Sequence, residues 1–309
     1  MNLHKLIFSQ LFNELGIVVR YLDVGARGDI GEPWSLFREG ALNVIGFEPD
    51  PEEACRLSAA NPNRKYYPYA LWGSKTVRPF YLCEWESTSS MYPPNEASNI
   101  FYVPQHWQGR VSKRVLDVEC VTPDSVLQPG DMPDFVKIDT QGAELEILSG
   151  SVSLLKHAAP FVLAETWCSE IYKGIPLTHD VMAFMYGLGY TVFDLNVAAA
   201  WHHRTNALAE THCKAKTIGF DLLFIKKFDC HEFKSVEELL KYAGLCELYA
   251  FRDYAIAALE QSPLRNKVTG KAVEEMIRNE QWERSWPRKL QVLCGHMMRR
   301  RTNLWPRLH

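Results

Sequence analysis

The residues able to do chemistry begin with Asp23-Val24-Gly25-Ala26-Arg27-Gly28-Asp29, where an acid and two glycines follow an apolar run. Glycines at such a place let the backbone turn sharply and come close to a ligand at the carboxyl edge of a sheet. Twenty-three residues past Gly25, Glu48 closes a second apolar run, and a carboxylate there can accept both hydroxyls of a ribose. The dinucleotide fingerprint requires glycine at its first, third and sixth positions. Counted from Gly25 these hold Gly25, Arg27 and Ile30, so the fingerprint fails, and no P-loop lysine motif is present. An acid ahead of the glycine turn suits a cationic aminoacyl sulfonium better than a pyrophosphate.

Three further acids, Asp139, Glu144 and Glu165, stand at or just beyond apolar runs. On neighbouring strands they would converge on one mouth of a sheet, where a carboxylate can take a proton or orient a ligand. A divalent cation is a second use for them, although neither an HxH motif nor an Asp-Asp pair supports it. His202 and His203 follow Trp201 in a long connection and offer a general base. Each has a plainer role available: ligand orientation for Asp139, helix capping for Glu144, a first-turn acid for Glu165, and exposure for the histidines. Ser89 and Ser90 are either ligand contacts or ordinary turn residues.

The elements that must hold these residues follow from periodicity. Leu3, Leu6, Ile7, Leu11 and Leu15 predict an opening helix that Gly16 ends. Strands are predicted over 17–24, 43–48, 66–71, 77–85, 115–121, 134–139, 160–165, 190–195 and 219–225. Helices are predicted around 34–39, from Pro51 behind the Asp50 cap, from Glu144, and around 180–188. The alternation implies a parallel sheet covered on both faces, with the last two strands pairing antiparallel at its edge. The polar, proline-broken segment Ser87–Gln108 and the connection Asn196–Ile218 read as covers over a site. Beyond Lys227 only helices are predicted, over 236–259 and 268–282. The division expected is therefore a domain over 1–228 and a helical extension over 229–309.

Hydrophobic residues form 47% of the 309 and charged residues 23%, enough apolar mass for a sizeable core. The eight cysteines include no CxxC pair, which argues against zinc and disulfide frameworks and for a reducing cytosol. The start is too short for a signal peptide, and no run is long enough to span a bilayer. Seven Arg and Lys residues and no acid occupy 284–309, so a net charge of −3 leaves −10 on the rest. Trp282, Trp286, Leu290, Leu293, Met297 and Trp305 interleave with these cations. That mixture suits packing on the main domain, docking to a partner enzyme such as a glycosyltransferase, or peripheral contact with an anionic inner membrane face. The acidic body and the lack of a recognised module speak against nucleic acid.

The run Asp134-Phe135-Val136-Lys137-Ile138-Asp139-Thr140-Gln141-Gly142-Ala143-Glu144-Leu145-Glu146-Ile147-Leu148-Ser149-Gly150 resembles the signature of the FkbM-type methyltransferases. The 23–29 cluster resembles that family's opening motif, and Phe47-Glu48-Pro49-Asp50-Pro51 its second. Tyr69-Ala70-Leu71, Ser89-Ser90-Met91, Thr122-Pro123-Asp124 and Val162-Leu163-Ala164-Glu165 resemble weaker stations in the expected order. The resemblance implies a Rossmann-like class I methyltransferase fold, S-adenosylmethionine as methyl donor, and hydroxyls of sugars, glycans or secondary metabolites as acceptors. It implies donor contacts at Asp23, Gly25, Ala26, Arg27, Gly28, Glu48, Pro49, Ala70, Leu71, Asp139 and Gln141. Catalysis would fall to Asp139, Glu165 and His202, and the acceptor to Ser89, Ser90, Glu144, Trp201 and His203. Arg27 and Asp29 depart from the family's usual Asn and Gly, and Pro123 from its usual Leu. Two rivals remain open: a degenerate methyltransferase domain that recruits partners, and a nicotinamide-dependent sugar-nucleotide enzyme. A homo-oligomer is compatible with either.

Overall fold

The computed structural model describes residues 12, 15–28, 30–31, 33–34, 37, 40–61, 64–205 and 213–264. Most of the predicted opening helix, much of the helix around 34–39, the helix over 268–282 and the basic tail lie outside them. The chain divides into two compact units, one from Arg20–Gly28 with Val44–Cys230, the other from Met1–Val19, Asp29–Asn43 and His231–His309.

The larger unit is built on a seven-stranded sheet. Its strands are β1 (Val19–Val24), β2 (Leu42–Phe47), β3 (Lys65–Tyr67), β7 (Phe135–Ile138), β8 (Phe161–Trp167), β9 (Tyr190–Trp201) and β10 (Lys216–Lys226), in the order β3-β2-β1-β7-β8-β10-β9. β1, β7 and β8 pair in parallel, while β10 runs antiparallel to both β8 and β9. This is the Rossmann-like methyltransferase arrangement with an antiparallel edge that the sequence led us to expect. Central strands buried on both faces read as near-continuous apolar runs, as Phe161-Val-Leu-Ala and Leu222-Leu-Phe-Ile do. The order turns back between β1 and β7, and at such a switch point the strand ends open a crevice.

Helix α1 (Pro51–Ala60) begins where Asp50 accepts the Glu52 amide at 3.1 Å, with Pro51 in the first turn. After β7 come α2 (Glu144–Ser149) and α3 (Val152–His157), and α4 (Thr178–Gly187) precedes β9. Leu148, Leu155 and Met185 from these helices join Leu22, Phe47, Ile138 and Leu222 from the sheet in one buried core.

Three differences from the sequence reading have local causes. The predicted strand 66–71 is two strands: β3 ends at Tyr67, and Ala70–Leu71 is β4 of a second, three-stranded sheet. Pro68, lacking an N–H, separates them. That sheet has the order β4-β6-β5, with β5 (Thr76–Cys83) on an edge, where Pro79 is tolerated, and β6 (Ser112–Val121) central. At the other end β9 continues to Trp201 and β10 begins at Lys216. Much of the connection predicted over 196–218 is therefore strand.

In the smaller unit, α5 (Val236–Leu248) is capped by Ser235, whose side chain accepts the Glu238 amide at 3.1 Å. The single helix expected over 236–259 is broken by Ala250 at φ +66 before α6 (Arg252–Gln261). No helix among the described residues is long and apolar enough to cross a membrane.

The Thr122-Pro123-Asp124 station has a structural explanation. Asp124 accepts the amides of Ser153 and Leu154 at 2.8 and 2.9 Å, serving the exposed N-terminus of α3 from the short helical turn Pro123–Val126. Asp124→Ala is expected to cost about 1 kcal/mol of stability, read as a lowered urea midpoint with an unchanged slope. An unaltered midpoint would remove the cap from the account.

Candidate functional site

The turn after β1 is fixed by backbone geometry. Gly25 takes φ +77, and a Cβ there would lie 2.0 Å from the carbonyl oxygen of Asp139. The amides of Gly25 and Ala26 both donate to the Phe47 carbonyl, at 3.0 and 3.1 Å, which stitches the turn to the end of β2. Gly28 takes φ +95, and its amide lies 3.4 Å from Glu53 Oε1. At the tip of β2, Glu48 is 3% exposed, and its Oε1 accepts the Asp50 amide at 3.0 Å. Burial pushes its pKa up to about 7, against the opposing pull of the Asp50 amide and Arg27.

Arg27 gathers three acids. Its guanidinium lies 2.6 Å from Asp50, 2.7 Å from Glu86 and 3.9 Å from Glu48. The residue that departs from the family pattern thus holds the acids of the β2 end to the short turn over 86–88. Pro49 is half-buried between Glu48 and Asp50, and Ala70 and Leu71 are buried where β4 pairs with β6.

Beneath the turn lies a cation in a strand. Lys137 Nζ sits 3.4 Å from Asp23 Oδ1, 3.6 Å from Asp139 Oδ2 and 3.3 Å from the Gly25 carbonyl. Burial alone would lower its pKa. Asp23 and Asp139 together outweigh that and hold the ammonium above its ordinary range. Asp23 is raised by its own burial, which Lys137 only partly offsets, and its buried Oδ1 receives no well-directed hydrogen bond.

From Asp139 a row of polar residues crosses the sheet. Ile138 pairs with Ala164, Glu165 with Asp221, and Asp221 with Asn196. Asp139, just past the end of β7, and Glu165, Asp221 and Asn196 on β8, β10 and β9 therefore follow one another at a single level. Burial raises Glu165 well above its usual value, and the charges of Asp139 and Asp221 add to it. Burial pushes Asp221 up to about 6, while Asn196, whose amide reaches it at 3.2 Å, opposes the shift.

Gln141 is the joint of this region. It adopts φ +57, uncommon for a residue with a Cβ, and its amide donates to Asp139 Oδ1 at 3.1 Å and to Glu165 Oε2. The Tyr172 hydroxyl donates to the Thr88 carbonyl at 2.6 Å and lies 3.0 Å from the Gln141 side-chain oxygen, and the Gln141 backbone oxygen accepts Ser90 at 2.7 Å. Glu144 braces the same loop, accepting the amides of Thr140 and Gly142 at 2.9 and 3.0 Å. Ser89 accepts the Cys83 amide at 3.1 Å. Glu144, Ser89 and Ser90 thus spend their polar atoms on the walls of the crevice.

Trp201, His202 and His203 occupy a separate aromatic group. Tyr102 stacks on His203 with centroids 4.6 Å apart and meets Trp201 edge-on at 5.3 Å, and His106 lies 6.0 Å from His202. None of the three is bonded to the carboxylate row. The two clusters meet through Tyr172, which packs on Trp167 at 6.4 Å and brings its hydroxyl to Gln141. Sequence reasoning missed Lys137, Asp221, Asn196 and Tyr172. For Lys137 and Asp221 the signal was available: a lone charge inside an apolar strand.

Among the described residues no group of three or more His, Cys, Asp or Glu is arranged to hold a metal ion. The carboxylate row spreads across strands instead of closing on a point, so the divalent cation has no ligand set here.

The family model described as the methyltransferase FkbM domain matches residues 23–192. The chain is similar in structure to methyltransferase FkbM from Methylobacillus flagellatus KT, at 14% identity and TM-score 0.37, covering 69% of this chain and 47% of that one. It thus spans about half the length of that protein. It is also similar to a TehB-like SAM-dependent methyltransferase from Corynebacterium glutamicum (11% identity, TM-score 0.34, 72% of this chain and 88% of that one). A third likeness is to magnesium protoporphyrin IX methyltransferase from Synechocystis with bound SAM (9% identity, TM-score 0.35, 72% and 79%). No curated protein matches the chain.

Two outcomes are expected from this geometry. Gly25→Ala puts a Cβ against the Asp139 carbonyl at a positive φ, so it should lower the melting temperature and distort the turn; wild-type melting would contradict the tight approach. Glu48 holds its proton more tightly folded (about 7) than unfolded (4.5), so its contribution makes stability fall as pH rises through that window. Glu144, pushed up by burial to about 7, and Asp221 act in the same direction. In Glu48→Gln the decline in urea midpoint between about pH 5 and about pH 8 should shrink. An identical decline would show that Glu48 is not the buried acid described.

Proposed function

The chain belongs to the FkbM methyltransferase family, and we propose that it transfers the methyl group of S-adenosylmethionine to a hydroxyl oxygen of a sugar, glycan or secondary metabolite. The observation that carries the proposal is the juxtaposition of two features: a Gly25–Glu48 cradle without room for a side chain, and carboxylates one strand away.

The residues fit the donor. Glu48 accepts one amide through Oε1 and, among the described residues, no hydrogen bond through Oε2, which leaves a buried acid for a ribose diol. Gly25 allows close approach, and Asp23 Oδ1, ion-paired with Lys137 at 3.4 Å, receives no directed hydrogen bond. When bound, S-adenosylmethionine supplies an electrophilic methyl that an acceptor oxygen takes in line with the sulfur.

What the chain contributes is placement and proton handling. Alignment of two reactants in such a displacement is worth on the order of 7–11 kcal/mol in favourable cases. Asp139, its side chain 23% exposed, is the member of the row nearest the Gly25 turn, where its carbonyl borders the position a Cβ would take. Lys137 and Gln141 hold its two oxygens in place, and it receives the hydrogen bond of the incoming hydroxyl. Glu165, whose burial favours its neutral form, steadies Asp139 instead of competing with it as a base. The Ser87–Gln108 segment, tied down through Ser90, walls the acceptor side and limits water.

Titration with S-adenosylhomocysteine and with NAD, followed by a labelled-methyl assay on hydroxylated glycan precursors with and without a chelator, tests the proposal. Only S-adenosylhomocysteine should bind, Glu48→Ala should weaken it about tenfold or more, and label should appear as a methyl ether. Asp139→Ala should lower turnover by about 10²–10⁴ if it serves the proton, or weaken donor affinity if it serves placement. Full turnover with normal donor affinity in that variant would remove Asp139 from the mechanism, and NAD binding would overturn the function.

A further inference from the structure

Beside the carboxylate row stands a group of cations without acids. Arg110 is 8% exposed, and its Nη1 donates to the His106 carbonyl at 3.1 Å. Its Nε is buried with no hydrogen bond, and the residue forms no salt bridge among the described residues. The guanidinium is sandwiched between aromatic faces, 5.1 Å from the Trp201 ring centroid and 5.5 Å from that of Trp167. Lys216 approaches from β10, its Nζ 3.0 Å from the Tyr102 hydroxyl and 5.7 Å from the ring centroid. It too forms no salt bridge among the described residues. His106 lies parallel to Trp201 at 6.1 Å, and His203 stacks on Tyr102.

Burying a guanidinium away from water is costly unless charge or hydrogen bonds compensate, and aromatic faces compensate only in part. Elsewhere in the chain the cations Arg27, Lys137 and Lys241 each meet a carboxylate. Arg110 and Lys216 do not. Trp201 and Tyr102 are themselves buried, their rings already packed against Arg110, His106 and His203. What remains for a ligand is two cationic donors that lack acids, which suit a negative group.

Resting on the methyl-transfer reading above, we infer that the acceptor carries an anionic group, a phosphate or a carboxylate, that Arg110 and Lys216 recognise at the edge of the Trp201–Tyr102 aromatic group. The two ends of the acceptor are then read by opposite chemistries. The reacting hydroxyl meets Asp139, and the anion lies beyond Tyr172, whose hydroxyl lies against Gln141 while its ring packs on Trp167 under Arg110. Arg110 falls inside the segment matched by the family model, whereas Trp201 and Lys216 lie beyond its end at residue 192. The acceptor's charge is therefore read partly by residues outside the matched segment, on β9 and β10.

The test titrates glucose 1-phosphate, glucuronate and neutral methyl glucoside into the full chain saturated with S-adenosylhomocysteine, at low and high salt. At least one anionic sugar should bind about tenfold or more tightly than the neutral one, the value expected for a charge-assisted hydrogen bond. The preference should fall with salt, and the better anion distinguishes phosphate from carboxylate. Lys216→Gln, at an exposed position, should reduce the preference several-fold without changing affinity for S-adenosylhomocysteine. Arg110→Gln should abolish it, and an unchanged melting temperature would exclude misfolding as the cause. Equal binding of charged and neutral sugars, binding of none, or a preference that survives Lys216→Gln would overturn the inference. Failure of S-adenosylhomocysteine to bind would sink the donor reading instead, leaving anion selectivity to be scored separately on the same chain.

Discussion

A buried ammonium is the interaction on which the rest of this site depends. Lys137 reaches Asp23 on β1, Asp139 beyond β7 and the carbonyl of Gly25 in the turn between them. Two carboxylates at adjacent strand tips would repel each other, and burial would force at least one to take up a proton. A cation placed between them lets both strand ends approach and pins the glycine turn from below. Once that turn is held, the amides of Gly25 and Ala26 fix the tip of β2, and with it Glu48. The crevice at the switch point is thus an electrostatic construction as much as a topological one.

Around that centre the chain separates charges by function. Gln141, in its left-handed conformation, hands one amide to Asp139 and Glu165 together and meets the Tyr172 hydroxyl on its other side. A single side chain therefore couples the carboxylates, the aromatic group and, through Ser90, the wall over the crevice. Strain of this kind persists only where neighbours over-determine it, and here four partners do. Glu144 explains why the loop can bear it: a buried carboxylate inside the loop takes up the Thr140 and Gly142 amides that the turn would otherwise leave unpaired.

How much of this was legible beforehand depends on the range of the interaction. Asp50 as a helix cap, Gly25 as a turn and the antiparallel β9–β10 edge follow from local rules and appear where residue types place them. The long-range partnerships do not. Nothing near Asp124 announces that it caps a helix some 30 residues on, nor does Ser90 reveal that it bonds Gln141. The split of 66–71 into strands of different sheets was written in Pro68, yet the apolar pattern on either side masked it. Lys137 and Asp221 show the more general lesson: a charge within an apolar strand is a residue whose partner must be sought across the sheet.

Arg27 shows how a departure from a family pattern can be absorbed. A long side chain at the mouth of the crevice, where the resemblance expects Asn, would be expected to block it. Here the guanidinium is drawn sideways by Asp50 and Glu86, at 2.6 and 2.7 Å, and stays 3.9 Å from Glu48. The two nearer acids outcompete the buried one for the cation, so Glu48 keeps an oxygen for a ligand while its charge is still partly balanced. The same pull fastens the glycine loop to the 86–88 turn, and hence to the segment that Ser90 anchors on the opposite side. Glu86 thus completes the set of acids that holds the Arg27 guanidinium to one side.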